Sequence, residues 1–541
     1  MAELSEDTKN LISQYRNWRQ SLQPKKGVTT IHVDEIAARV AAFYEKIRII
    51  VDWKEEHLMR RAMIIRKLKR RFLSIDLNNP PKDNSMAESL ILELIRGGHF
   101  PNDRIEEIKF ETVQRIINKY VFILRNRPQT GTPREKIQLY NWILEIAACE
   151  IEENLASSRK EIALINYMFD KMKKRIFLNE GIFKMGAFNE EEKNIQIYIA
   201  VQQALFKLDS PIISYNLIKY KYPDWNNPSS EWLSEATKNI YNLWRVLEGH
   251  LSHPLGKKFY AICEKYDTPY LLLGDILSEE NQEEALNKVS EPEVLESSIK
   301  KAYNKRLSTL KKRLYRAALY STLSVLLGNI VSIFFVEYPL AKWLTGTFAP
   351  VTIVVDILGP TFLMFLLTTT IKLPSKNNLN VVIMETMKIV YKSDKTDTYE
   401  VKVPKKRTGI ILSSIIALIY AVGALVSFGF IVWIFELAGF PPTSIMLNIM
   451  FVALITFAGL AIRKRGQELT VQEKSGGFFA FIFDVLSLPV AATGHWLSVK
   501  WKRYNAIAAF FNALIDMPFS IFVEFIEQWR FFLKERKEEI H

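Results

Sequence analysis

Four long uncharged stretches in the second half of the chain constrain its fold more than anything else in it. They are Ala317–Val336, Trp343–Ile371 (broken only by Asp356), Thr408–Phe435 and Leu437–Ile462. A helix needs about 20 apolar residues to cross a hydrocarbon core of about 30 Å, and each stretch reaches that length. A soluble fold rarely buries four such helices in succession, so the pattern predicts a multi-pass membrane protein.

Composition hides this. Over 541 residues the chain is 48% hydrophobic and 24% charged, the average of a polar half and an apolar half. The formal net charge of +13 could point to nucleic acid. Much of the excess borders the apolar runs, however, so membrane topology accounts for it and nucleic acid is not expected as a partner. Met1–Gln23 is polar and lacks the apolar centre of a secretory signal, which leaves the first apolar run as the expected insertion signal. Cys149 and Cys263 are the only cysteines and supply neither a disulfide framework nor a Cys-rich metal set.

Residues 1–316 carry helical periodicity punctuated by Pro, Gly and Asn. Asp34–Phe72 places Ile36, Val40, Phe43, Ile47, Ile50 and Val51 three and four apart and stops before Asn78-Asn79-Pro80-Pro81. Further helices are expected at Met86–Arg96, Glu107–Arg125, Pro133–Leu155, Ser157–Phe177, Glu190–Lys207, Ser229–Leu251, Pro254–Glu264 and Glu291–Arg316. Thr132-Pro133-Arg134-Glu135 is a strong helix start: a capping residue, Pro in the first turn, an acid soon after. The expected organisation is an all-α domain over 1–299, divided near Asn179–Gly186. A basic juxtamembrane helix (300–316), four spans within 317–462 and a carboxy-terminal region (463–541) follow.

Orientation follows from the loops. Lys300, Lys301, Lys305, Arg306, Lys311, Lys312, Arg313 and Arg316 precede the first run with no acid among them. Lysines and arginines also crowd the 372–407 loop, and Arg463, Lys464 and Arg465 follow the fourth run. Glu337–Lys342 and Glu436–Thr443 carry no such excess. Positive charge thus alternates between sides, which assigns the amino-terminal domain, the 372–407 loop and the segment after Arg463 to the cytoplasm. Within that loop, Met387–Tyr391 and Tyr399–Val403 suggest a small hairpin, with an amphipathic helix along Val381–Val390 as the alternative.

Phe478–Val499 contains Asp484, Pro489 and His495, and Asn505–Trp529 alternates an aromatic stripe with a polar one. Both read as amphipathic interfacial or re-entrant helices followed by a basic tail. The alternative is a hairpin of two further spans, six in all.

No phosphate loop, G-x-S-x-G, H-E-x-x-H or kinase signature occurs, and no enzyme activity or cofactor is expected. Asp356 is the sharpest candidate: an acid inside a span costs about 2.5–3.5 kcal/mol on insertion scales and marks ion or proton sites. Pro350 and Pro360 bracket it, and a broken helix around a carboxylate is how many transporters build a midplane site. Against this, Asp356 could sit near a surface or bond a neighbouring Ser or Thr, and no basic residue lies in the other runs. Asp484 and His495 form a weaker second candidate, since an interfacial segment would present both to headgroups.

His250 and His253 beside Glu248 lack a third metal ligand. The basic Lys54–Arg71 helix suits lipid or nucleic acid, although packing against acids elsewhere accounts for it equally. Along Lys300–Arg316, Tyr303, Leu307, Leu310 and Leu314 form one stripe, leaving the eight cations as candidate contacts for anionic lipid headgroups. Acid-rich Asp275–Glu296 lies just upstream and could dock on them. Ala417, Ala421, Gly423 and Ser427 give small-xxx-small spacing for packing the spans, or for a homo-oligomer.

Ile31-His32-Val33-Asp34-Glu35, Trp53-Lys54-Glu55-Glu56-His57-Leu58 and Phe483-Asp484-Val485-Leu486-Ser487-Leu488-Pro489 resemble stretches of uncharacterised multi-pass membrane proteins of reduced-genome bacteria. The resemblance covers most of the chain. It implies a membrane location and a helical cytoplasmic domain, and no site. Two functions are expected to compete: a membrane-anchored scaffold or sensor whose helical domain binds a cytoplasmic protein or the anionic leaflet, and an ion- or proton-coupled transporter or channel using Asp356.

Overall fold

The computed structural model describes residues 3–22, 27–33, 56–74, 84–156, 158–178, 188–279, 288–337, 339, 343, 350–392, 397–401, 410–471, 478–503 and 529. The fold is all-α, and the chain divides into two compact units. One is Glu6–Glu264 with Thr396–Val401 and Ala509–His541, the helical unit. The other, the bundle unit, is Met1–Ser5, Lys265–Lys395 and Lys402–Ala508. It starts at Lys265 rather than near residue 300, because the helix Asp267–Leu277 packs with the helices Pro292–Ser332 and Lys376–Val390. Asp34–Glu55, Asn78–Pro81, Asn179–Gly186 and all of Asn505–Trp529 except Trp529 itself lie outside the described residues.

In the helical unit the helices are α1 (Glu6–Leu22), α2 (Glu56–Ser74), α3 (Ser85–Arg96), α4 (Lys109–Asn126), α5 (Pro133–Leu155), α6 (Arg159–Arg175), α7 (Glu190–Phe206), α8 (Ser210–Lys221), α9 (Ser230–Lys238), α10 (Ile240–Leu251) and α11 (Gly256–Lys265). α5 begins where its sequence says it should. Thr132 Oγ1 accepts from the Glu135 amide and Glu135 Oε2 accepts from the Thr132 amide, a reciprocal capping box. Asn189 and Glu192 repeat the device at α7. α5 is the hub, with α2, α4 and α8 packed on it. Its Leu139, Ile143, Leu144, Ile146 and Ile151 are all buried. Ser229–Leu251, expected as one helix, breaks at Asn239 into α9 and α10.

The expected hairpin in the 372–407 loop does not form. Residues Lys376–Val390 are helix, α15, as the alternative reading has it. Strand β2 (Tyr399–Val401) instead pairs in parallel with β1 (Ile176–Leu178), a partner distant in sequence that local patterning cannot reveal.

The bundle unit contains α12 (Asp267–Leu277), α13 (Pro292–Ser332), α14 (Pro350–Thr369), α15, α16 (Ile410–Leu437), α17 (Pro442–Arg465) and α18 (Phe478–Arg503). α13 is 41 residues long and so about 60 Å, joining the basic segment and the first apolar run in one rod. Among the described residues, four helices are long and apolar enough to cross a membrane: Pro292–Phe335, Ser414–Leu437, Ser444–Arg465 and Ile482–Lys500. Ile353–Thr369 is a shorter apolar helix beside them. The set differs from the four runs picked out above, because Phe478–Arg503 is a continuous helix through Pro489, packed along α17 and α16. That geometry replaces the interfacial reading of this segment with a helix of the bundle.

Candidate functional site

Asp356 sits in α14, buried with 3% exposure, where three helices of the bundle meet. Pro360, four residues on, has no N–H, so the Asp356 carbonyl loses its helical donor. Asn329 of α13 supplies one instead: its Nδ2 donates to that carbonyl at 3.2 Å. The Thr361 hydroxyl donates to the next carbonyl, Ile357, at 2.6 Å. The Asp356 side chain reaches the other way, and Oδ1 accepts from Nδ2 of Asn448 on α17 at 2.6 Å. Asn448 also donates to the Ser444 carbonyl at 3.1 Å. Asn329, Ser332, Ser444 and Asn448 are all buried, so the acid lies among amides and hydroxyls. One bonding partner of the side chain is thus an asparagine, a residue type not weighed from sequence. The signal was visible: Asn329 and Asn448 are isolated amides in apolar runs, costly unless bonded, but a search for a basic counterion passes over them.

A second proline lies near a similar contact. Pro489 removes the helical donor to the Val485 carbonyl in α18, and the Ser427 hydroxyl of α16 lies 2.7 Å from the following carbonyl, Leu486. The same oxygen is 2.7 Å from Gly423 O, so its single proton serves one or the other. Gly423 itself lets Val485 approach: a Cβ there would meet that residue's side chain and carbonyl at 3.2 Å. Close packing recurs at Gly459, where a Cβ would meet the Leu367 side chain at 2.7 Å, and at Gly494, where it would collide with the Ala453 backbone. Of the small residues noted in α16, Gly423 and Ser427 face α18, whereas Ala417 and Ala421 are exposed.

Asp484 and His495 do not join this site. Both are exposed on α18 and lie eleven residues apart, about 16 Å along the axis. His495 meets only the edge of Phe457, ring centroids 5.2 Å apart, among the described rings.

The basic stretch of α13 is organised as its apolar stripe implies. Tyr303, Leu310 and Leu314 are buried, and Lys300, Lys301, Lys305, Lys311, Lys312, Arg313 and Arg316 are exposed. Arg306 differs: its guanidinium forms a two-pronged ion pair with Asp275 of α12. The nearby Glu279 carboxyl is held below its usual range by its bond to Lys288 and by Lys301 and Lys305. Acid-rich Asp275–Glu296 thus docks on this segment at its first residues. Measured from Ala317, Lys311–Arg316 lie within about 9 Å of the apolar run, whereas Lys300–Arg306 are about 16–26 Å away. A Debye length of about 8 Å lets only the nearer four feel a leaflet at that boundary.

Segments assigned to one side by their charge meet at this end of the bundle. Asn378 of α15, 3% exposed, donates to Tyr303 Oη (3.0 Å) and to the Leu469 carbonyl (2.7 Å). It also accepts from the Val471 amide (2.9 Å). The Ser5 amide donates to Val390 O at 3.0 Å, adding the amino terminus.

In the helical unit the basic α2 is packed against acids. Arg60 bonds Glu152 at 3.1 Å, Arg61 pairs with Asp209, and Lys67 and Arg71 both reach Glu93 at 2.5 Å. A second buried set joins Lys119, Glu150, Tyr120 and Trp225. Lys119 Nζ lies 2.6 Å from Glu150 and 2.9 Å from the Trp225 carbonyl, and Tyr120 donates to Glu150 at 2.6 Å. Burial pushes the Glu150 carboxyl up and the Lys119 ammonium down despite their contact. His250 lies 3.4 Å from Lys221, and no cluster able to hold a metal occurs among the described residues. Burial together with the neighbouring lysine lowers the His250 imidazole.

No protein-family model, curated protein or solved structure matches the chain.

Proposed function

We propose that this multi-pass membrane protein is a scaffold or sensor of the cell membrane, with its helical unit in the cytoplasm recruiting a protein partner. The observation that carries the reading is the bonding of Asp356. Its carboxyl holds α17 through Asn448, and its proline-freed carbonyl is held by Asn329 of α13. This is a three-helix clamp, a use of polar groups suited to fixing a bundle rather than passing an ion. The large, separately packed helical unit, dominated by buried ion pairs rather than catalytic groups, supports the same reading.

Orientation draws support from the two ends of the bundle. The Lys/Arg-rich segments gather at one end, whereas exposed Trp433 and Trp496 lie toward the other ends of α16 and α18. Cations inside and an aromatic belt at the interface are what a membrane selects. Lys500, Lys502 and Arg503 end α18 on the Trp side and run against that charge trend.

Asp356→Asn tests the reading, because the amide keeps an oxygen for Asn448 but cannot titrate or carry charge. In proteoliposomes of the full chain, neither wild type nor variant should pass protons or alkali cations, and the cellular phenotype should survive the substitution. A wild-type flux that Asp356→Asn abolishes would overturn the scaffold in favour of a transporter.

A further inference from the structure

We propose that the basic end of the bundle is a binding site for the phosphate of anionic phospholipid headgroups. It is built by Lys311, Lys312, Arg313 and Arg316 of α13 with Lys372 after α14 and Lys464 at the end of α17. The inference rests on the bilayer-crossing reading of the bundle, but not on recruitment of a partner.

All six side chains are exposed, and none forms an ion pair among the described residues. They converge on one level. The end of α17 packs on the chain leaving α14, since a Cβ at Gly466 would meet the Ile371 side chain and lie 3.2 Å from the Lys372 carbonyl. Arg463, beside Lys464, lies over the Phe483 ring at 5.3 Å, which brings the start of α18 to the same place. Tyr315, between Arg313 and Arg316, is 70% exposed, the amphipathic ring that headgroup regions favour.

Helix-end electrostatics accounts for part of this set. Lys372 and Lys464 stand at the carboxy ends of α14 and α17, where cations offset the helix dipole. The α13 cations have no such role. They lie in the middle of an unbroken 41-residue helix, with Lys312 and Arg316 four apart, a spacing at which like charges repel. Among the described residues local acids do not neutralise them either: Asp275 is committed to Arg306 and Glu279 to Lys288. Asp484 and Glu468, exposed carboxylates at this end, form no ion pair with them among the described residues. These cations suit an external anion, and the phosphate of a lipid is the one fixed at this depth beside an apolar rod.

The test uses the full chain in detergent, offered equal amounts of phosphatidylglycerol and phosphatidylcholine, with retained lipid read by native mass spectrometry. Wild type should retain phosphatidylglycerol preferentially. At about fivefold per charge, a variant combining Lys312→Gln, Arg313→Gln, Arg316→Gln and Lys372→Gln should lose that preference several-hundred-fold. Lys300→Gln with Lys301→Gln, about 25 Å from the apolar boundary, should keep it. Should the fourfold variant fail to fold, Lys312→Gln and Arg316→Gln singly should each cost about fivefold. Equal retention of both lipids by wild type overturns the proposal. So does a folded fourfold variant that behaves as wild type, or an equal loss in the distal pair. Partner recruitment by the same variants is a separate readout, so the lipid site and the scaffold reading fail independently.

Discussion

The two units bury polar groups by opposite rules. In the helical unit, charge is buried against charge: Lys119 on Glu150, Arg60 on Glu152, Arg61 on Asp209. Around Asp356 and Ser427 in the bundle, neutral amides and hydroxyls do the bonding, and one of them covers the carbonyl that Pro360 frees. The difference reflects what each chain segment loses on folding. A water-facing segment gives up strong hydration and must recover it from an opposite charge, whereas a segment already in lipid finds other hydrogen-bond partners before it packs. Ion pairs in the first unit should therefore be expensive to break, and the clamps in the second cheap.

The largest effect is expected at Glu150. Glu150→Ala leaves the Lys119 ammonium buried beside the Trp225 carbonyl but without its counter-charge, and breaking a buried pair from one side costs about 3–5 kcal/mol. Lys119→Met combined with Glu150→Leu removes both charges and should recover most of that loss. Denaturant unfolding of the full chain in detergent, followed by hydrogen exchange of α4 and α5 amides, measures both. A cost under about 1 kcal/mol for Glu150→Ala would break the comparison.

Glu152 sharpens it through pH. Burial, opposed by Arg60 and Arg61, raises its carboxyl from 4.5 to about 7. Between those values the folded state holds a proton that the unfolded state has released. Stability from this group is therefore greatest below pH 4.5, falls as pH rises to about 7, and is flat above. The span of the effect is about 3 kcal/mol. Replacing the group by Glu152→Gln should remove one proton's worth of slope over this window in the same exchange measurement. An unchanged slope would mean that Arg60 and Arg61 keep the carboxylate ionised throughout.

In the bundle, Gly494→Val should cost about 1–3 kcal/mol, because the side chain enters the space held by the Ala453 backbone and forces α17 from α18. A neutral result there would mean that the two helices are not in register as described.

How far the sequence discloses this depends on whether the signal is local. The α5 start is complete in Thr132 and Glu135, and the buried stripe of α13 in Tyr303, Leu310 and Leu314, so both are legible. The acids facing α2 were legible only as a category, since Glu93, Glu152 and Asp209 come from three other places in the chain. α18 misleads because Asp484, Pro489 and His495 look alike in a linear string. In space, Asp484 is exposed near one end and Pro489 is buried beside Ser427. His495 is exposed against Phe457. Depth in a bilayer is a property of the packed helix, so polarity along the chain underestimates the span. Asn378 offers no sequence signal at all: it is a loop asparagine until two distant segments close on it.

The smallest effects are the most discriminating. Asn448→Leu removes the donor to Asp356 Oδ1 and the local bond to Ser444, in the most buried polar position of the clamp. In water such a loss beside a buried carboxylate would be severe. Between membrane helices a side-chain hydrogen bond averages about 0.6 kcal/mol and reaches about 1.7. Asn448→Leu should therefore fall near 1 kcal/mol, below Gly494→Val and well below Glu150→Ala. Asp356→Asn, which keeps an acceptor, should fall lower still. Unfolding of the full chain in mixed micelles ranks all four. If Asn448→Leu instead matches Glu150→Ala, the Asp356 carboxyl is ionised and held as a charge, and the two units obey the same rule after all.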